Sequence, residues 1–153
     1  MNNENTENNL LGHDYFMKQA LKLAQQAFEE GEVPIGCVVV VNNKIIGKGY
    51  NQTERLKDPT AHAEMLAITA ATNHLGSKYL DECTVYITIE PCTMCAGALY
   101  WTRPAAVVFG APEPKVGYSR HQMPVLHPHT KVINTDLCHE CTDLMKRFFK
   151  TKR

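Results

Sequence analysis

The 153-residue sequence lacks long hydrophobic runs, and no apolar stretch approaches the ~20 residues that a membrane-spanning helix needs. It also lacks a charge excess, since 16 basic residues balance 16 acidic ones, so net charge does not point to a nucleic-acid-binding protein. The segment 1–11 is rich in Asn and has neither the basic nor the apolar region of an export signal. We therefore expect a disordered leader at 1–11, one domain at 12–153, no membrane partner and a cytoplasmic location.

Cysteine is present, and its spacing is informative. Four of the six cysteines form two C-x-x-C pairs, Cys92 with Cys95 and Cys138 with Cys141. In a chain without an export signal, this spacing indicates metal or redox chemistry before structural disulfides.

Apolar periodicity and turn residues predict helices that alternate with strands. The predicted helices cover 14–30, 58–75, 91–101 and 135–149, and the predicted strands cover 35–41, 44–50, 83–89 and 105–109. Between 110 and 130 the pattern dissolves into a long loop rich in proline, and loops of this length are often functional. Alternating elements of this kind indicate an α/β layered fold with helices on both faces of one sheet.

Two short motifs carry the chemistry: His62-Ala63-Glu64 and Pro91-Cys92-Thr93-Met94-Cys95. Cys92 and Cys95 are three residues apart on the first turn of a predicted helix, so their side chains share one face and can bind a single ion. The positive end of the helix dipole favours the thiolate form that binds metal. His62, at the start of another helix, can supply the third ligand.

Three protein ligands leave one coordination position open, as in catalytic rather than structural zinc sites. Glu64 is poorly placed as a fourth ligand and well placed to move protons, so we assign it the catalytic role. Hydrolytic deamination of a nucleobase uses these parts, and the combined pattern is the known signature of zinc nucleobase deaminases. A structural zinc or incidental thiols are the alternative interpretation of the same residues.

Further segments extend this pattern: E-V-P-I-G at 32–36, G-Y-N at 49–51, D-P-T-A-H-A-E-M at 58–65, E-P-C-T-M-C-A-G-A at 90–98 and V-V-F-G-A at 107–111. In these segments the sequence resembles the bacterial tRNA-specific adenosine deaminase family, over about 12–153. The resemblance implies a three-layer α/β/α cytidine-deaminase-like fold with a mixed central sheet. It also implies one Zn²⁺ per subunit and a homodimer that converts the wobble adenosine of a tRNA anticodon loop to inosine.

The resemblance further implies a set of substrate-binding residues: Asn51, Val33, Ala63, Ile89, Glu113, Lys115 and Phe149. Asn51 would hydrogen-bond the flipped base, because its amide both donates and accepts. Val33 and Ile89 would line the base pocket, and the loop after Phe109 would meet the flanking nucleotides. The basic end of the chain, from Lys146 onward, would meet phosphates.

Other interpretations stay open at this stage. A deaminase of a free base or nucleoside, such as guanine or cytosine, would share the fold and the metal site. A non-enzymatic zinc protein is a third reading, which Glu64 argues against because a structural site gains nothing from a nearby uncoordinated carboxylate. Cys138 and Cys141 indicate core packing or an exposed thiol rather than a second zinc, since no further ligand pair is evident nearby. Phe149 is suited equally to subunit packing and to RNA contact.

Overall fold

The computed structural model describes residues 11–134 and 138–152, so the predicted leader at 1–11 lies outside it except for Leu11. The described residues form five helices, five strands and one 3₁₀ turn. They are α1 (Gly12–Glu29), β1 (Gly36–Val41), β2 (Lys44–Tyr50), α2 (Thr53–Leu56), α3 (Ala63–Leu75), β3 (Thr84–Ile87), α4 (Thr93–Thr102), β4 (Ala106–Phe109), a 3₁₀ turn (Tyr118–Arg120), β5 (Lys131–Asn134) and α5 (His139–Thr151).

The strands form one sheet in the order β2-β1-β3-β4-β5. β1 pairs antiparallel with both β2 and β3, whereas β3–β4 and β4–β5 are parallel pairs. The predicted mixed sheet is thus confirmed. Because β3 and β4 are parallel, their carboxyl ends lie at the same edge of the sheet. The helix that follows β3 begins at this edge.

Two cores lie on opposite faces of this sheet. Alternate strand residues, such as Val39 and Val85, pack under α3 and α4, and their neighbours, such as Val38 and Val108, pack under α1 and α5. This alternation is the period-2 geometry of a strand buried on both faces. The predicted α/β/α layering is confirmed.

Close contact between α3 and the sheet depends on Gly49. A Cβ at this position of β2 would collide with the carbonyl oxygen of Ala63 and crowd Leu66. Without a side chain there, the first turn of α3 lies directly against the strand. This contact fixes the position of the helix start that carries the H-x-E motif.

One predicted helix start is wrong, and two short elements were not predicted. α3 begins after His62 rather than at Asp58-Pro59, because the Asp58 carboxylate accepts hydrogen bonds from the backbone N–H and hydroxyl of Thr60 at 2.8 and 2.7 Å. This local turn competes with helix formation. α2 and β5 occupy segments for which the sequence predicted no helix or strand. The last helix was predicted from 135, but 135–137 lie outside the described residues.

The second cysteine pair lies at the start of α5. Cys138 and Cys141 are both buried and are joined in a disulfide, and the Cys138 sulfur caps the helix by accepting from the Cys141 N–H at 3.1 Å. The pair therefore packs in the core, as expected, but as a disulfide that the sequence did not predict. Among the helices of the described residues, none is both long and apolar enough to cross a membrane.

Candidate active site

Three potential metal ligands converge where α3 and α4 begin. Among the described residues, His62, Cys92 and Cys95 form the group of three metal-binding side chains, with ligand atoms all within 4.8 Å of one another. The His62 Nδ1 lies 3.6 Å from the Cys92 Sγ and 3.5 Å from the Cys95 Sγ. The two motifs, separated by 26 intervening residues in the sequence, are thus brought together by the fold.

Helix starts position all three ligands. His62 is the N-cap of α3 and Cys92 the N-cap of α4, each with extended backbone, and Cys95 lies in the first turn of α4. Neither N-cap side chain forms a capping hydrogen bond with its helix, and the two side chains meet at the shared site, where the His62 Nδ1 lies 3.6 Å from the Cys92 Sγ. The exposed N–H groups of two helix ends make this region electropositive, which stabilises thiolates.

The donor set fits zinc. With ordinary bond lengths of about 2.0 Å to nitrogen and 2.3 Å to sulfur, a tetrahedral ion separates a nitrogen and a sulfur ligand by about 3.5 Å. The two Nδ1–Sγ distances of 3.5 and 3.6 Å match this separation. Among residues 11–134 and 138–152, the group has two thiols, one imidazole and no fourth protein ligand, which is the donor set of an open, catalytic zinc site.

The electrostatics of the ligands favour metal binding. A hydrogen bond from Cys95, together with His62, lowers the pKa of Cys92 to about 4. The hydrogen bond to Cys92 raises the pKa of His62 above its usual value, and the hydrogen bond to the same thiolate raises the pKa of Cys95. One thiolate is therefore ready to bind an ion, and binding releases the remaining proton of the pair.

Glu64 lies one residue into α3, beside the ligand group and 3% exposed. Burial raises the pKa of its carboxyl above the usual value, with the negative Cys92 adding to the rise. A buried carboxyl with a raised pKa both accepts and returns a proton more readily near neutral pH. The geometry thus places a buried carboxyl with a raised pKa beside the three metal-binding side chains.

A cavity of about 240 Å³ opens onto this group. Its wall is formed by fourteen residues: Val33, Ile35, Asn51, Thr53, His62, Ala63, Glu64, Ile89, Glu90, Cys92, Glu113, Val116, Met145 and Phe149. Larger cavities exist near His13 and near Trp101, but neither contains the metal ligands. The cavity lined by His62 and Cys92 is thus the smallest of these three.

Six of the seven predicted substrate-binding residues line this cavity, namely Asn51, Val33, Ala63, Ile89, Glu113 and Phe149. Lys115 does not; it is exposed, and its backbone N–H donates to the Glu113 carboxylate at 3.0 Å. The structure thus brings six of these residues together with the ligands. Their roles toward a substrate stay predictions.

Sequence reasoning missed several cavity residues. Thr53 belongs to α2, whose first N–H groups, those of Glu54 and Arg55, donate to the buried Glu32 carboxylate at 3.0 and 2.8 Å. Met145 lies four residues before Phe149 on α5, and this i, i+4 spacing was a usable signal that both face the same side. Val116 had no such signal, because its position depends on how the 110–130 loop folds back.

Comparison with known proteins agrees with this geometry. The profile of the cytidine and deoxycytidylate deaminase zinc-binding region matches residues 11–111. The chain therefore belongs to the cytidine and deoxycytidylate deaminase family, a class of zinc-dependent enzymes.

Within this class, the similar proteins include tRNA adenosine deaminases and a guanine deaminase. The tRNA-specific adenosine deaminase of Aquifex aeolicus is 44% identical over 94% of this chain and 97% of its own length. A solved structure from work on A-to-I editing by tRNA:A34 deaminases matches with a TM-score of 0.79 and 36% identity, over 85% of this chain and 98% of that one. A guanine deaminase from Bacillus subtilis matches with a TM-score of 0.63 and 44% identity, over only 66% and 65% of the two chains.

Proposed function

We propose that this protein deaminates the wobble adenosine of a tRNA to inosine by hydrolysis. The observation that carries the proposal is the placement of Glu64 beside an open three-ligand zinc site at the base of a cavity whose rim belongs to a loop and a basic helix. The near full-length similarity to tRNA-specific adenosine deaminases supports the choice of substrate.

The chain's own residues account for the chemistry of the step. Zinc, when bound, supplies a Lewis acid that lowers the pKa of a water molecule toward ~7. Glu64 takes one proton from the water as the water oxygen adds to C6 of adenine, and it passes this proton to the ring nitrogen. It then takes the proton of the added hydroxyl and passes it to the departing amine, so the C–N bond breaks, a carbonyl forms and ammonia leaves. The buried position of Glu64 excludes bulk water from this proton transfer.

The upper part of the cavity would hold the flipped base. Asn51 is 5% exposed and is fixed by its backbone N–H, which donates to the Ile35 carbonyl at 3.2 Å. Its side-chain amide can donate to one atom of the base and accept from another. Val33 and Ile89 provide apolar surface, and Phe149, half exposed at the rim, can stack on a neighbouring base.

A homodimer is part of the same proposal. Trp101 and Met123 are 74% and 76% exposed, and together with Tyr100 they line an open apolar cleft beside α4. Exposed aromatic and methionine side chains in one cleft are typical of association surfaces. A second copy would cover them. Sedimentation of the purified chain as a monomer at micromolar concentration would contradict this part of the proposal.

Inosine formation is the direct test of the reaction. A tRNA transcript with adenosine at the wobble position is compared with the same transcript carrying guanosine there, and with free guanine, cytosine, cytidine and adenosine. We expect inosine in the first transcript and no ammonia from the others. Ammonia release from a free base, with the tRNA unchanged, would assign the chain to the small-molecule branch of the family.

The cellular location follows from this substrate. An enzyme that acts on tRNA anticodon loops meets its substrate in the cytoplasm, so we expect the chain there. Fractionation that recovers it in another compartment would contradict this expectation.

A further inference from the structure

Glu90 is a buried acid that the chemistry above does not use. It lies between β3 and α4, is 5% exposed and forms part of the cavity wall. Its Oε1 accepts from the Glu113 backbone N–H at 3.3 Å, and its Oε2 accepts from the Ser119 N–H at 3.0 Å and the Ser119 hydroxyl at 2.8 Å. One carboxylate thus binds both ends of the segment 113–119.

Backbone contacts tie the same segment to the strand end that carries Glu90. The Glu90 N–H donates to the Ala111 carbonyl at 2.8 Å, and the Tyr118 N–H donates to the Pro91 carbonyl at 3.0 Å. Gly117 pairs with Cys92 in an isolated bridge. A Cβ on Gly117 would collide with the Glu90 carboxylate, so the segment closes around it without room for a side chain. We call residues 111–119 the recognition loop.

The recognition loop contributes Glu113 and Val116 to the cavity wall, so its conformation decides the shape of the rim. A buried carboxylate is a costly way to close a loop, because its desolvation must be offset by hydrogen bonds. Among the described residues, the ion pairs are Arg55–Glu30 and Arg103–Asp81, and neither neutralises Glu90. The carboxylate is therefore compensated by the loop itself, and the loop in turn depends on both of its oxygens.

We infer that Glu90 is a positioning residue for substrate recognition: through three hydrogen bonds it holds Glu113 and Val116 where they meet the nucleotides next to the reacting base. This inference rests on the proposed tRNA deaminase function. It assigns to Glu90 the binding of the flanking RNA and leaves proton transfer to Glu64.

The variant Glu90→Gln tests this role. It keeps the shape of the side chain but turns one acceptor oxygen into an N–H₂ donor that faces another donor. Since hydrogen bonds to a charged group are among the stronger ones, we expect KM for the tRNA to rise about tenfold. We expect kcat to change less than about threefold and bound zinc to stay at one per chain.

Two further variants separate positioning from general stability. Ser119→Ala removes one of the three donors and is expected to raise KM in the same direction by a smaller factor. The double variant is expected to show less than the product of the two single effects, because both act through the same contact. Glu82→Gln, which changes an exposed acid at the other end of β3, is the matched control and is expected to leave KM unchanged.

Amide hydrogen exchange supplies a readout that does not need activity. We expect the amides of Glu113 and Ser119 to exchange faster in Glu90→Gln, with no change in the strands of the core. If Glu90→Gln does not fold, Ser119→Ala provides the same comparison in a chain that keeps the buried acid.

The possible outcomes are distinguishable. An unchanged KM with unchanged exchange overturns the inference, as does a parallel fall of kcat and zinc content, which would make Glu90 a support of the metal site. If the unmodified chain does not act on tRNA, the proposed function fails. The inferred role of Glu90 in binding the flanking nucleotides then fails as well. Faster amide exchange of the loop in Glu90→Gln would in that case still show that Glu90 positions the loop.

Discussion

The wall of the cavity that carries the metal ligands comes from the first turns of two helices, whereas the rim comes from the recognition loop and the last helix. His62 and Cys92 are N-caps, held by regular elements that pack on the central sheet. Glu113 and Val116 lie in a segment without regular structure, which is held by the buried Glu90 carboxylate and a few backbone hydrogen bonds. The first region is fixed by secondary structure and the second by a few hydrogen bonds.

Under the proposed function, this difference separates two tasks. Proton transfer and metal binding tolerate little displacement, and helix starts on a packed sheet supply that rigidity. Recognition of a nucleic acid needs a shaped rim that sequence change can alter without moving the metal. Substitutions in the first region are expected to lower the zinc content or kcat. Substitutions in the second region are expected to raise KM or to weaken RNA affinity.

Loss of a ligand is expected to have the largest effect. Cys92→Ala should purify without zinc and lose at least about 10³-fold in turnover, because no side chain at the site replaces a Lewis acid. Metal analysis and inosine formation measure the two losses. Cys83→Ala, which removes a buried cysteine of the core, is the control and should keep its zinc. A zinc-replete Cys92→Ala would remove Cys92 from the ligand set.

Glu64→Gln should lose roughly 10²- to 10⁴-fold in kcat while it keeps its zinc. The amide fills the same space but cannot take a proton from water. Single-turnover kinetics on the tRNA transcript, with metal analysis of the same sample, distinguish this result from ligand loss. Near-normal turnover would exclude Glu64 from proton transfer.

Asn51 lines the same cavity as the metal ligands, and Asn51→Ala should lower kcat/KM roughly 10- to 100-fold with zinc retained. The buried amide is expected to hold the base, so its removal leaves polar atoms of the base unpaired. Steady-state kinetics on the transcript measure the effect. Unchanged kinetics would place the base elsewhere in the cavity.

Phe149→Ala should weaken tRNA affinity about five- to tenfold and leave kcat nearly unchanged, because the lost contact is the stacking of one base at the rim. Filter binding of the tRNA measures it. Leu75→Ala is a matched control, since Leu75 is also exposed but lies about 18 Å from the start of α3 along the helix. Equal affinity in both variants would assign Phe149 to packing rather than to RNA contact.

The smallest effect on tRNA binding is expected from removing positive charge on α5. Lys146→Gln combined with Lys150→Gln should weaken tRNA binding a few-fold and reduce the slope of log affinity against log salt by about 1.4 for two lost phosphate contacts. Lys18→Gln with Lys22→Gln makes the same change on α1, at the same spacing. If both pairs change the slope equally, the basic end acts through overall charge and not through a local contact.

The metal region could be predicted from the sequence because its geometry is local. The C-x-x-C spacing places two ligands three residues apart at one helix start, and the H-x-E motif places His62 at another. The structure brings these two helix starts together. The start of α3 was misassigned because Asp58-Pro59 has the sequence of a helix start, while the Asp58 side chain stabilises a separate turn.

The rim could be predicted only in part, because its contacts are distant in sequence. The strand β5, Lys131–Asn134, has four residues after a proline-rich segment, and it becomes a strand by parallel pairing with β4. The binding of Ser119 by Glu90 spans 29 residues and leaves no periodic trace in the sequence. Resemblance supplied Glu113 and Phe149, and neither spacing nor periodicity would have found Val116.

The position of β3 in the sheet also matters for how the protein assembles. β1 and β2 form a hairpin through Asn42 and Asn43, so they pair locally, whereas β3 must dock beside β1 to join this hairpin to β4 and β5. Cys92 and Cys95 follow β3, and His62 precedes it on a helix that packs on the hairpin. The ligands therefore meet only once β3 has docked, and zinc uptake during refolding should report the completion of the sheet.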